Sequence, residues 1–150
     1  MNVLDQETTI VTHLMDVCKD GRDFYRSAAD KVESNGLEDI FIDSANARDA
    51  IIIDLQDYMK QKGESVKAEG TVTGKAASFF GELAATITPN TGKTFVTQLE
   101  EAEDRSLEEF QKAMSKNITP ALKERIAHHK DDLQHTHFRM KTLKDVLKAA

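Results

Sequence analysis

Residues 4–36 read LDQETTIVTHLMDVCKDGRDFYRSAADKVESNG, and the spacing of their apolar side chains decides the fold class. Ile10, Leu14, Val17, Phe24, Ala28 and Val32 recur mostly at multiples of three or four positions. That spacing draws one stripe along an α-helix and does not fit the alternation of a half-buried strand. Asn35 and Gly36 follow, a pair suited to a left-handed helix stop. A helix from about Leu4 to Ser34 is therefore predicted.

The same period recurs downstream. Leu37, Phe41, Ala45, Ile52, Leu55 and Met59 form a second stripe that ends at Gly63, and Val96, Leu99, Phe110 and Met114 form a third. A fourth opens at Thr119, a capping side chain, with Pro120 in the first turn, and continues through Leu122, Ile126, Leu133, Met140 and Leu147. Helices of roughly 25 to 30 residues reach about 40 Å, the proportions of a bundle. Short links after helices 1 and 3 make those pairs antiparallel neighbours, whereas about 30 residues separate helix 2 from helix 3. A link of that length can run the whole bundle, so helices 2 and 3 are expected to be parallel, the ferritin-like arrangement. Within the link, Ala76, Phe79, Phe80, Leu83 and Ala84 predict a short amphipathic helix from Lys75 to Ile87, laid over the core or presented to a partner. The expected fold is all-α, a single ferritin-like four-helix-bundle domain over residues 1–150.

Charge and cysteine content remove several function classes. Lys and Arg number 20 against 26 Asp and Glu, a formal charge of -6 with the signs interspersed, so no basic face for nucleic acid is expected. Cys18 is the only cysteine, which rules out an intrachain disulfide and a cysteine-built zinc or iron–sulfur site within one chain, and it suits a reducing compartment. The start, MNVLDQETT, lacks the basic and apolar regions of a signal peptide, and no apolar run approaches the length of a membrane span. A cytoplasmic protein without membrane contact is expected. Gly70 to Lys75 lacks both the Walker spacing and a preceding strand, so no nucleotide site is expected there.

Polar residues that fall on the apolar stripes are the candidates for function. At about 100° per residue, Glu103 sits at the centre of the helix 3 stripe and Glu100 beside it, nearer the seam. Arg48 occupies the inward centre of helix 2, and Cys18, Gly21, Phe24 and Tyr25 the inward face of helix 1, with Asp20 at its flank. On helix 4, His129 lies on the stripe and His137 at its edge, while Asp132 and His135 fall mostly toward solvent. In the leading reading Arg48 and Glu103 form a buried charge-assisted pair, with Glu100, His137 and Tyr25 meeting their remaining polar atoms and Gly21 leaving room for the arginine. The competing reading is a metal site of Glu100, Glu103, His137 and His129 for iron or another divalent ion. A di-iron bundle needs two Glu and two Glu-x-x-His pairs. Helix 2 has no such pair, and its Arg48 repels cations. No catalytic residue and no cofactor are therefore expected, and Cys18 is expected to be a buried, inert thiol. The four histidines 128, 129, 135 and 137 lie in mixed phases, at least two toward solvent.

The run Cys18-Lys19-Asp20-Gly21-Arg22-Asp23-Phe24-Tyr25-Arg26-Ser27-Ala28-Ala29 resembles the opening motif of the DUF2383 family of bacterial ferritin-like four-helix-bundle proteins. The resemblance continues through Arg48, Lys62-Gly63-Glu64, the Gly70 to Phe80 link, Glu100-Glu101-Ala102-Glu103-Asp104 and His137. Arg22, Phe24 and Phe138 depart from the family's pattern. The resemblance implies the fold and a bacterial source, with relatives that include stress-associated bundles, and no established activity. The expected function is that of a non-catalytic bundle acting through contacts with a protein partner or a second copy of itself.

Overall fold

The side-chain oxygen of Asn2 accepts the backbone N–H of Asp5 at 2.8 Å, and the chain enters its first helix. The computed structural model describes residues 2–32, 35–69 and 91–149, and among them it holds four helices and no strand. These are α1 (Val3–Lys31), α2 (Asn35–Gln61), α3 (Thr91–Met114) and α4 (Pro120–Ala149). The expected helix from Lys75 to Ile87, with Phe79, Phe80 and Leu83, and the loop from Gly70 to Lys75 lie outside the described residues.

The helix ends follow local chemistry, with one correction. Asn35 and Gly36 do not stop the first helix; they open the second. α1 ends earlier, where Val32 turns extended while its N–H still bonds the Ala28 carbonyl. Asn and Gly serve either end of a helix, so the pair alone does not say which. The left-handed stop is at Gly63, with φ +82°. There the N–H of Glu64 reaches the Met59 carbonyl and that of Gly63 the Lys60 carbonyl, a Schellman closure. Thr119 caps α4 as read, its Oγ1 accepting the Leu122 N–H at 3.4 Å.

Side-chain pairs fix the packing directions. Early α1 meets late α2 through Glu7 and Tyr58, and late α1 meets early α2 through Tyr25 and Phe41, so the two are antiparallel. Tyr25 with Glu103 and His13 with Glu109 set α3 antiparallel to α1. Ser44 with Arg139 and Asp54 with Arg125 set α4 antiparallel to α2, so α2 and α3 run in the same direction.

Most stripe residues are buried, among them Leu14, Phe24, Ala28, Phe41, Leu55, Val96, Phe110, Ile126 and Met140. On α1 the buried face is wider than the stripe predicts, because the helix packs against both α2 and α3. Val11, Met15 and Cys18 are enclosed, whereas Ile10 and Val17 are half-buried. The core falls into two apolar blocks. One gathers Val11, Leu14, Cys18, Leu55, Phe110 and Leu133; the other gathers Phe24, Phe41, Ala45, Val96, Leu99 and Met140. Between them, along each helix, come Gly21, Arg48, Glu103 and Thr136.

Candidate functional site

The level between the two blocks is polar. Arg48 and Glu103 are each 1% exposed, and Arg48 Nη2 donates to Glu103 Oε1 at 3.0 Å. The Tyr25 hydroxyl donates to the same oxygen, and the guanidinium lies 4.7 Å from the Tyr25 ring centroid. Arg48 Nη1 donates to the Ser44 carbonyl at 3.3 Å. Burial opposes the charge of Arg48, yet Tyr25 and Glu103 beside it outweigh that cost and hold its pKa above the ordinary value. Burial is also the main reason the Tyr25 phenol is pushed well above its ordinary range. Arg48 Nε and Glu103 Oε2 are buried with no hydrogen-bond partner among the described residues, so the pair has no spare contacts to lose. A Cβ on Gly21 would stand 2.6 Å from Arg48 Nε. Only a glycine leaves the arginine this path.

Cys18 adjoins this layer and is buried. Desolvation pushes its thiol up to about 12, against a smaller downward pull from Arg48. Thiolate, the reactive form, is thus scarce at neutral pH. At pH 8 the native protein is expected to leave a thiol reagent such as Ellman's reagent unconsumed for as long as it stays folded, and to take up one equivalent in denaturant. Fast native labelling would show that the thiol is accessible.

The remaining predicted residues do not join Arg48. Glu100 and His137, expected in its network, instead lie on the seam between α3 and α4. Lys144 Nζ donates to Glu100 Oε2 at 2.8 Å, and His137 Nε2 faces Glu100 Oε1 at 3.8 Å and Asp104 Oδ1 at 2.6 Å. His129 is separate again: its Nε2 lies 2.6 Å from Asp54 Oδ2 on α2, and Asp54 Oδ1 accepts from Arg125. His129 and His137 are eight residues apart on one helix, about 12 Å along its axis, which separates them from a common ion. The predicted metal set Glu100, Glu103, His137 and His129 is thus not brought together. Among the described residues, the one group of convergent metal-ligating side chains is Glu100, Asp104 and His137. His128 and His135 are exposed, as expected.

Two features escaped the sequence reading. Glu7 is buried, its Oε1 accepting from the Tyr58 hydroxyl and from Thr119 Oγ1, each at 2.9 Å, so one carboxylate ties α1, α2 and the cap of α4. The available signal was its phase: Glu7 precedes Val11 by four residues and Leu14 by seven, which puts it on the buried face. The second is a groove of about 900 Å³ between α2 and α4, lined by Ala47, Ala50, Ala121, Asp54, His129 and His135. Alanines at the contact leave it open.

The family model described as "Domain of unknown function (DUF2383)" matches residues 6–116. That span takes in Gly21, Tyr25, Arg48 and Glu103, and stops short of α4. No curated protein matches the chain.

Proposed function

The chain belongs to the DUF2383 family, a domain of unknown function, and from that premise we propose that it is a non-catalytic bundle that acts through protein contacts. In this reading it is a bacterial, cytoplasmic, stress-associated protein of one domain with the ferritin-like crossover between α2 and α3. The shared direction of those two helices supports the crossover.

The observation that carries the reading is the Arg48–Glu103 pair. A ferritin-like di-iron centre would sit in the bundle core and take convergent carboxylates and imidazoles. Here the same level is filled by a guanidinium bonded to its one carboxylate. These residues do not fit iron, because the fixed positive charge repels a divalent cation at contact distance. The outer surface favours contacts instead. Ile42 and Ile53, both exposed, lie about three turns apart on one face of α2, and Phe138 on α4 is 70% exposed.

Anaerobic ferrous titration of chelator-treated protein, followed by admission of oxygen, tests the reading. Oxygen uptake is expected to match protein-free buffer. Rapid, saturating uptake at one or two irons per chain would overturn it.

A further inference from the structure

Glu100 and Asp104 are four residues apart on α3, so they stand one above the other on one helical face, and His137 comes to them from α4. One donor atom from each lies within 4.8 Å of the other two. The side chain of Glu100 is 13% exposed, that of His137 22% and that of Asp104 55%. The cluster is walled on the bundle side and open toward water through Asp104.

His137 Nε2 supplies an observation independent of the carboxylates. It is buried, and it makes no hydrogen bond although Asp104 Oδ1 is only 2.6 Å away, because the approach is off the line such a bond needs. At that separation the nitrogen and the carboxylate oxygen need a hydrogen or a cation between them, and the contact is off the line a hydrogen bond needs. Lys144 does not lie between them: it bonds Glu100 Oε2 and leaves Oε1 facing His137, and an ion at Oε1 has to compete for the Glu100 carboxylate with that ammonium, which the half-buried seam lets swing toward water. Its hydrogen bond is also the main cause that holds the Glu100 carboxyl below the usual carboxylate range.

We propose that Glu100, Asp104 and His137 form a site for one first-row divalent metal ion, Zn²⁺ or an ion of like preference, on the α3–α4 seam. Two carboxylate oxygens and one imidazole nitrogen are a mixed hard and borderline donor set, and three protein ligands with a fourth position toward solvent is a common zinc arrangement. At metal–ligand distances of about 2.0 to 2.2 Å the donors stand roughly 3 to 3.5 Å apart, which asks for small side-chain rotations from the present spacings. The site lies at the height of the Arg48 layer but outside it, on the α3–α4 seam, and shares no side chain with the Arg48–Glu103 pair, so it neither needs nor contradicts the proposed function. The bound ion would clamp α3 to α4 rather than carry out redox chemistry.

Calorimetric titration of the full-length, chelator-stripped protein with Zn²⁺ tests the assignment, with Co²⁺ absorption as a second readout. One saturable equivalent per chain and a raised Tm are expected. His137→Ala and Asp104→Asn should each weaken Zn²⁺ binding by roughly tenfold or more, whereas His128→Ala should not. Asp104 is half exposed, so its variant keeps the assignment testable even where His137→Ala disturbs packing. Absence of saturable binding would overturn the proposal. Binding undiminished in both ligand variants would overturn it too, and would place the ion on the exposed histidines of α4.

Discussion

Glu103→Ala is expected to cost about 3–5 kcal/mol of folding stability, the price of leaving a buried guanidinium without its counter-charge. Arg48 is enclosed, and Glu103 Oε1 is the anionic partner it bonds. Tyr25 would lose its acceptor at the same stroke. At roughly 2–4 °C per kcal/mol for a chain of this size, the thermal midpoint should fall by about 6–20 °C, read by circular dichroism. A near-neutral midpoint would mean that Arg48 finds water or another partner and that the pair is dispensable. The informative control is Arg48→Met with Glu103→Leu. Replacing both charges by apolar side chains removes the desolvation cost as well as the attraction, so the double variant should recover most of the loss, short of the parent by about the acceptor that the Tyr25 hydroxyl gives up.

Gly21→Ala is the second large effect, and its sign is set by competition. Alanine in a helix interior gains roughly 0.5–1 kcal/mol over glycine. The new methyl, however, would stand 2.6 Å from Arg48 Nε and 2.9 Å from Cδ. Those atoms are mid-chain in a side chain whose tip is held by Glu103 and the Ser44 carbonyl, so it cannot swing aside without breaking the pair. Overpacking of this kind costs about 1–3 kcal/mol, and a net loss is expected in urea unfolding. A gain in stability would show that Arg48 has room to shift.

Periodicity carried the sequence reading a long way, because the residues that matter at the centre share the phase of the apolar stripes. Arg48 and Glu103 were found as charges in apolar phase, and Gly21 as a missing side chain at a comparable level. What phase does not give is whether a side chain at the edge of a stripe turns inward or lies along the seam. Glu100, read as nearer the seam, and His137, read at the edge of its stripe, were expected to reach the Arg48–Glu103 pair, but their side chains meet Lys144 and Asp104 at the seam. Glu7 shares the phase of the core, but nothing in the spacing of a lone carboxylate announces the Tyr58 and Thr119 hydroxyls that hold it. Asn35 and Gly36 were misjudged because their chemistry suits both helix ends.

The polar level between the two apolar blocks has a further consequence, which concerns sliding. Helices lined with Leu, Ile and Ala alone can shift along one another at modest cost, since one apolar contact replaces another. Here a shift of α2 by one turn, about 5.4 Å, would carry Arg48 away from Glu103 and press it against one or other apolar block. A shift of α1 would bring a side chain to the level that Gly21 keeps empty. The layer thus works as a detent, admitting one axial alignment of the helices and penalising a slip in either direction, and the double apolar variant would keep most of its stability while losing that alignment, seen as broadened amide resonances.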